Sequence, residues 1–278
     1  MLELSAYARS FRAVMGRSGK IRLTYKPWIL NSLLGPLVWL AITIYSYIGI
    51  ASAESVRSGF GQFGISGSIT GFLILGQSIF SFFTAMNWRT GMSIERERWY
   101  GTLEAVLVTP MNRIVWLMAE AVFGIVDSGW MVFITFIVAS MLFSISLNPA
   151  APLALVVTLA LTLLAMIALG IFLAGFYVMT RAAGPLSIAF QAPMRFFTGT
   201  SFPVSALPTA LQYVSYAIPV TYGLDAVRKA LLTGASLSDL SSELSLLFVF
   251  TVIVSVAGGL LMRSAEAMAK RSGTLHTF

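Results

Sequence analysis

A few polar and ionisable side chains stand inside long apolar runs, and they are the residues of this chain best suited to chemistry. Asp127 and Arg195 bring charges, and Gln77, Gln191 and Thr198 bring hydrogen-bonding groups. A charge among apolar residues is costly unless it is paired, and an ionisable residue in such a run is a candidate for a functional role. The pattern therefore predicts either an internal ion pair or a polar lining for a path through apolar surroundings.

The two charges stand at similar depths in their runs. Asp127 comes about 13 residues into one run and Arg195 about 11 into another, which is about 20 and 17 Å at about 1.5 Å per residue. We predict that they pair or that both face one polar cavity. Three interpretations stay open: an ion pair without ligand contact, residues that line a substrate path, or side chains that reach water from a run's end. The candidate path residues are Gln77, Asp127, Gln191, Arg195 and Thr198.

Catalytic motifs are missing from the sequence. His276 is the single histidine and there is no cysteine, which excludes thiolate and disulfide chemistry. The segment 16–21, GRSGKI, has neither the spacing nor the Ser or Thr of a phosphate-binding G-x-x-x-x-G-K-[ST] loop. We expect no catalytic, cofactor or metal site on this chain.

Composition indicates an all-α integral membrane protein. Of the 278 residues, 57% are hydrophobic and 10% charged, whereas soluble domains carry about 25% charged residues. The apolar residues come in blocks of about 20, the length that crosses about 30 Å of hydrocarbon. We predict a single transmembrane domain over 1–278 with six spans, at 28–50, 68–88, 114–142, 152–180, 184–202 and 244–262.

Two segments read differently from the spans. In 1–27, Phe11, Val14 and Met15 recur at helical spacing among basic residues, which predicts an amphipathic helix on an anionic membrane face. Residues 203–243 are too apolar for a free loop and too broken for a span.

The basic residues predict the orientation. Six of the 18 lie in the N-terminal segment, four in the loop 89–113, one at position 181 and three in the tail. Because Lys and Arg accumulate on the cytoplasmic side, we place both termini and this loop there, in a multi-pass plasma (cell inner) membrane protein. The net charge of +7 then reflects topology, and we expect no nucleic acid partner.

The segment 95–110, ERERWYGTLEAVLVTP, is a costly polar interruption. Glu95 and Arg98 can pair at i,i+3 on a helix for about 0.2–0.5 kcal/mol, which is too little to explain it. Gly101 permits a sharp turn, and Pro110 ends the short helix that follows. The apolar residues on one face of that helix are Leu103, Val106 and Leu107. An exposed apolar face is typical of a partner site, and an interfacial helix beside a solvated charged loop is the alternative.

The same segment resembles the "ERE(R)xxGTLExLxxTP" cytoplasmic loop of the type-2 ABC transporter permease family, with Trp99 and Tyr100 placed before the glycine. Residues 202–228, which include the run YAIPVTYGLDAVR, resemble the family's segment after its fifth span. The resemblance covers essentially the whole chain. It implies a coupling helix at 89–113 and re-entrant or extracellular helices at 203–243. The residues that it places at the ATPase contact are Glu95, Arg96, Glu97, Arg98, Gly101, Thr102, Leu103, Glu104, Val106, Leu107 and Pro110.

The resemblance implies the membrane-spanning permease subunit of an ATP-driven exporter. A separate ABC ATP-binding subunit would hold ATP and Mg and carry the ATPase activity, so this chain would not be an enzyme by itself. A second permease subunit, identical or different, would complete the transporter in the lipid bilayer. We expect a hydrophobic or amphipathic substrate such as a drug, antibiotic or lipid. A saccharide or lipo-oligosaccharide exporter is the alternative within the family, and a non-ABC channel-like or structural membrane protein the alternative outside it.

Overall fold

The computed structural model describes residues 2–50, 53–62, 69–109, 111–142, 148, 150–180 and 183–271. These residues form helices and turns, and no strand occurs among them. The α-helices are α1 (Leu2–Thr24), α2 (Lys26–Ile50), α3 (Ala53–Gln62), α4 (Ile69–Met86), α5 (Ser93–Trp99), α6 (Leu103–Val108), α7 (Arg113–Leu142), α8 (Pro152–Thr180), α9 (Ala183–Phe197), α10 (Thr209–Tyr216), α11 (Pro219–Arg228) and α12 (Ser241–Arg271).

Within the described residues, five helices are long and apolar enough to cross a membrane, where the sequence predicts six. They correspond to the predicted spans 28–50, 68–88, 114–142, 152–180 and 244–262. The predicted span 184–202 is wrong in its length, because α9 ends at Phe197 after 15 residues, about 22 Å at about 1.5 Å per residue. The backbone carbonyls of Gly199 and Thr200 turn instead to the side chain of Arg228, so the helix does not continue.

The most enclosed of the five long apolar helices is α4, which packs against α2, α7, α8 and α11. Its side chains Phe80, Phe83 and Met86 enter the main apolar core, together with Met166 and Leu173 of α8. Because apolar surface gains nothing by leaving lipid for another apolar surface, close packing must hold such helices together. The enclosed position of α4 makes it the natural wall for any internal cavity.

The N-terminal helix forms as predicted, and part of its apolar face packs on α7. Val14 is buried against Trp116 and Ala119 of α7, with Phe11 and Met15 packed around them. An apolar stripe of this kind can pack on lipid or on protein, and in the fold α7 covers the part around Val14. Consequently α1 runs along the beginning of α7.

Between α4 and α5 the chain forms a π-helical turn, Asn87–Gly91, which the sequence does not predict. Such turns are rare and occur frequently at functional sites. Asn87 is buried in this one, where its amide donates to the Ser187 hydroxyl at 2.8 Å and accepts from the Tyr177 hydroxyl at 2.7 Å. The turn therefore ties α4 to α8 and α9 just before the charged segment begins.

The segment 203–243 consists of short helices, as the family resemblance implies. A 3-10 turn, Val204–Ala206, precedes α10 and α11, and a π-helical turn, Lys229–Thr233, follows them. Most of α11 is buried, and it packs on α4, α8 and α12. These contacts account for a composition too apolar for a free loop.

Candidate functional site

Three rungs of polar contacts, which we call the charge ladder, join α1 to α5 and α7. In the first rung the Arg17 guanidinium donates to both carboxylate oxygens of Glu97, at 2.5 and 2.6 Å. The Thr102 hydroxyl donates to the same carboxylate at 2.6 Å. Glu97 is fully buried, and three hydrogen bonds to its carboxylate compensate for the loss of water.

The second rung surrounds Glu120 of α7, which is also buried. Its carboxylate accepts hydrogen bonds from the Ser18 hydroxyl and from the Arg96 guanidinium, both at 2.9 Å. Arg96 also donates to the backbone carbonyl of Trp88 at 2.9 Å. One arginine of the charged segment therefore holds both α7 and the π-helical turn.

The third rung is centred on Asp127, two turns further along α7. Arg22 of α1 donates to one carboxylate oxygen at 2.7 Å, and Arg89 of the π-helical turn donates to the other at 2.8 Å. The Arg89 guanidinium also lies over the ring of Phe123, 4.6 Å from its centroid. Asp127 thus bridges α1 and the end of α4 through two cations.

The ladder shows that two of the four charges of 95–98, those of Arg96 and Glu97, link this segment to other helices. Only the predicted i,i+3 pair of Glu95 with Arg98, at 2.8 Å, is local, while Arg96 and Glu97 reach α7 and α1. Gly101 adopts a φ of 69°, which confirms the predicted turn. The polar interruption 95–110, which we call the joint, therefore connects α5 to α1 and α7.

The expectation of an exposed apolar face on α6 is wrong for the residues that the structure describes. Leu103 is 5% exposed and packs on Ile94 and Val178, and Val106 belongs to the cluster around Trp116. Other residues of the chain thus cover Leu103 and part of Val106. The side chains of Glu104 and Leu107, and the whole of Pro110, lie outside the described residues.

Other apolar side chains of the joint are exposed. Val108 is 87% exposed, and Trp99 and Tyr100 are more than half exposed. Clustered exposed aromatic and aliphatic side chains are typical of interaction surfaces. We call Trp99, Tyr100 and Val108 the outer patch.

A cavity of about 590 Å³ lies among α2, α4, α7 and α9, within the range of about 300–1,000 Å³ of small-molecule sites. Four of the five predicted path residues line it, namely Gln77, Asp127, Gln191 and Arg195. Arg22 and Arg89 of the third rung line it as well. Asp127 and Arg195 therefore line one cavity with a mostly apolar wall, and its use as a substrate path stays a prediction.

Asp127 and Arg195 do not pair, contrary to the other alternative. Arg22 and Arg89 take both carboxylate oxygens of Asp127. The Arg195 guanidinium donates to the Gln77 side-chain oxygen at 3.0 Å and lies between the rings of Trp39 and Phe80, at 4.8 and 4.2 Å. The sequence analysis did not anticipate that α1 brings a cation to Asp127.

Thr198 and Gln191 differ from each other in position. Thr198 is buried outside the cavity, where its hydroxyl donates to the Met194 carbonyl at 2.6 Å and contacts the Thr200 hydroxyl at 2.9 Å. Its place on the Arg195 face is lost because α9 ends just before it. Gln191 donates weakly to the Ser187 carbonyl at 3.4 Å and stays on the cavity wall.

Sequence reasoning missed Arg228, which anchors α11. It is 6% exposed and donates to the carbonyls of Phe72, Gly199 and Thr200 at 2.8–3.3 Å. Burial lowers the pKa of Arg228 to about 9, and the charge of Asp225 partly offsets this. A Cβ at Gly76 would lie 2.1 Å from the Thr200 carbonyl oxygen. Only glycine at position 76 therefore lets the backbone at Thr200 lie so close to α4.

The model of the ABC-2 type transporter family matches residues 9–232, a stretch that holds the ladder, the outer patch, the cavity and Arg228. The chain belongs to the ABC-2 type transporter family. It is therefore a multi-pass membrane permease subunit of an ABC transporter, and such subunits work with an ATP-binding partner. The match confirms the resemblance seen in the sequence. A comparison with curated proteins gives no match.

The ladder partners on α1 were also missed in the permease sequence, although a signal exists. Glu120 and Asp127 are seven residues apart and fall on one face of α7, and Ser18 and Arg22 are four apart on α1. Two helices with complementary polar stripes can pack by matching them. The pairing of these stripes in the sequence would have pointed to the contact.

Proposed function

We propose that this permease is the membrane subunit of an exporter that moves a hydrophobic or amphipathic compound out of the cytoplasm or the inner leaflet. A separate ABC subunit would bind ATP and Mg and supply the energy. Two permease subunits, identical or different, would form the path by alternating access or by lateral uptake followed by extrusion.

The observation that carries this proposal is the overlap of ladder and cavity. Arg22, Arg89 and Asp127 belong to the third rung and also line the cavity. The outer patch sits on the same joint as the first two rungs. A displacement of the joint by a partner would thus reach the cavity wall through paired side chains, which is the coupling that an exporter needs.

The cavity lining supports the substrate class. Most of its wall is apolar, with Pro36, Trp39, Phe80, Met131 and Ile188 among the lining residues. An apolar site with a few placed polar groups favours compounds that are apolar with one polar end. A saccharide would need hydrogen-bonding groups on every side, whereas the polar side chains of this wall contribute the smaller part of its surface.

The charge distribution supports the orientation. Ten of the 18 basic residues fall in the N-terminal segment and in the loop 89–113, which supports a cytoplasmic location for the N-terminus and the joint under the positive-inside rule. The ATP-binding partner would then meet the outer patch in the cytoplasm, at the plasma (cell inner) membrane.

The proposal is tested by purifying the tagged permease from its native membrane with and without the substitutions Tyr100→Asp and Val108→Asp. Bound ATP-binding subunit and ATP turnover are measured. Tyr213→Asp is the matched control, because Tyr213 is an exposed aromatic residue of α10, away from the joint. We expect the double variant to lose the partner and the control to keep it. A wild-type permease that brings down no ATPase would refute the exporter.

A further inference from the structure

We infer that Arg195 binds the anionic headgroup, a phosphate or a carboxylate, of an amphipathic substrate. The inference rests on the proposed function, since it names the substrate class of the same cavity. Its basis is the way the guanidinium is held, the charge of the lining and the apolar wall beside it.

Arg195 is held in place without being neutralised. Among the described residues its one hydrogen-bond partner is the neutral Gln77 side chain, at 3.0 Å through Nη1. The rings of Trp39 and Phe80 flank it. Cation–π contacts and one neutral acceptor fix the plane of the guanidinium and leave Nη2 and Nε for two oxygens of a carboxylate or phosphate, which arginine binds through two parallel hydrogen bonds.

Arg228 shows what a structural arginine looks like in this same chain. It is buried, and three backbone carbonyls accept its hydrogen bonds. Arg195 is half-buried, lines the cavity and donates to a single side chain. Arg228 is therefore a structural anchor, whereas Arg195 has donors left for a ligand.

The charges that line the cavity favour an anion over a zwitterion. They are three guanidiniums, of Arg22, Arg89 and Arg195, and one carboxylate, of Asp127. Asp127 already accepts from two of the arginines, so no lining carboxylate is left for the ammonium of a zwitterionic headgroup. Opposite charge lowers the cost of holding Arg195 among apolar residues.

The dimensions favour an amphiphile. Gln77 and Arg89 are 12 residues apart along α4 and its π-helical turn, which is about 18 Å at about 1.5 Å per residue. Phe80, Thr84 and Ala85 of the cavity wall lie between Gln77, which holds Arg195, and the cation of Arg89. A headgroup at Arg195 would leave an apolar tail against this wall.

The test measures binding of three probes to the full-length permease in a neutral detergent: dihexanoyl phosphatidic acid, dihexanoyl phosphatidylcholine and inorganic phosphate. Quenching of tryptophan fluorescence reports binding, since Trp39 and Trp88 line the cavity. We expect wild type to prefer phosphatidic acid to phosphatidylcholine by about tenfold or more, the size of charge-assisted hydrogen bonds.

Three variants locate the preference. Arg195→Gln should abolish it, and Arg195→Lys should keep part of it because the charge remains. Lys229→Gln removes one positive charge outside the cavity and should leave the preference intact. A preference that persists in Arg195→Gln, or equal affinity of wild type for both lipids, overturns the inference. The Arg195→Lys variant is checked for the same elution and melting temperature as wild type, and it guards against a folding artefact.

Two further measurements distinguish a bound phosphate group from a bound whole amphiphile, and this inference from the exporter proposal. Displacement of phosphatidic acid by inorganic phosphate would show that the phosphate group itself is bound, and a preference that phosphate does not disturb would assign the site to the whole amphiphile. The same preparations are probed for the ATP-binding subunit. A bound ATPase without any headgroup preference refutes this inference alone, whereas a preference lost in Arg195→Gln without a bound ATPase refutes the exporter alone.

Discussion

Replacement of Asp127 by asparagine should destabilise the permease strongly, because it leaves two cations facing each other. Arg22 and Arg89 lie 2.7 and 2.8 Å from the two carboxylate oxygens. Asparagine has nearly the same shape and keeps one acceptor oxygen, so the substitution removes charge and little volume. The prediction therefore isolates the electrostatic part of the third rung.

The exposure of the three side chains sets the magnitude. They are 8% exposed for Arg22, 14% for Asp127 and 19% for Arg89. Exposed ion pairs contribute about 0–1 kcal/mol, whereas removal of one partner of a buried pair costs about 3–5 kcal/mol. These exposures lie near the buried limit, and we expect a loss of about 3 kcal/mol. That loss corresponds to a fall in melting temperature of roughly 6–12 °C, by the scaling of roughly 2–4 °C per kcal/mol for large domains.

The assay is a pair of double-mutant cycles followed by thermal unfolding in detergent. One cycle combines Asp127→Asn with Arg22→Gln, and the other combines Asp127→Asn with Arg195→Gln. The first should show a coupling of about 1.5 kcal/mol or more, as expected for a charge-assisted hydrogen bond. The second should show less than about 0.5 kcal/mol, as for residues without a shared partner.

Two results would refute this reasoning. A coupling of Asp127 with Arg195 as large as that with Arg22 would mean that the two intramembrane charges pair after all. An Asp127→Asn variant as stable as wild type would mean that the third rung contributes nothing to the fold.

Three further predictions follow from single contacts. Gly76→Ala should lower stability by about 1–3 kcal/mol, because its Cβ would lie 2.1 Å from the Thr200 carbonyl oxygen, and an unchanged melting temperature would contradict the close approach. Arg228→Lys should reduce the yield of folded permease, since one ammonium cannot reproduce the planar contacts to three carbonyls, and a normal elution profile would argue against the anchor. Glu97→Gln keeps the Thr102 contact but removes the charge that Arg17 pairs with. Substrate-stimulated ATP turnover should therefore fall while the ATPase stays bound. Normal stimulated turnover would exclude the first rung from coupling.

Much of the fold could be predicted from the sequence, because membrane helices are set by local composition. The run 152–180 coincides with α8, and α2, α4 and α7 begin and end within a few residues of their predicted runs, whereas α12 continues past its predicted end at 262 to Arg271. A lipid environment requires every spanning backbone group to bond within its own helix, so a long apolar run needs no distant partner to become one. The predicted span 184–202 fails where this locality fails, since Arg228 takes the carbonyls of Gly199 and Thr200.

The sequence predicted which residues gather at the candidate site better than it predicted which of them contact each other. Gln77, Asp127, Gln191 and Arg195 share a cavity as predicted, because rare polar groups among apolar residues tend to gather. The inward turn of Leu103 was not predictable, since an apolar face on a short helix reads the same whether protein or partner covers it.

The sequence by itself determined the membrane class, the long helices, the charged joint and the family, because all four rest on composition or on residues close together in the chain. The tertiary structure alone decided which charges meet. Arg17 and Glu97 are 80 residues apart, and Arg22 and Asp127 are 105 apart. An ion pair depends on distance in space, and several arginines of the chain could have satisfied each carboxylate. Only the packing of α1 along α7 selects the partner of Asp127 and leaves Arg195 open to the cavity.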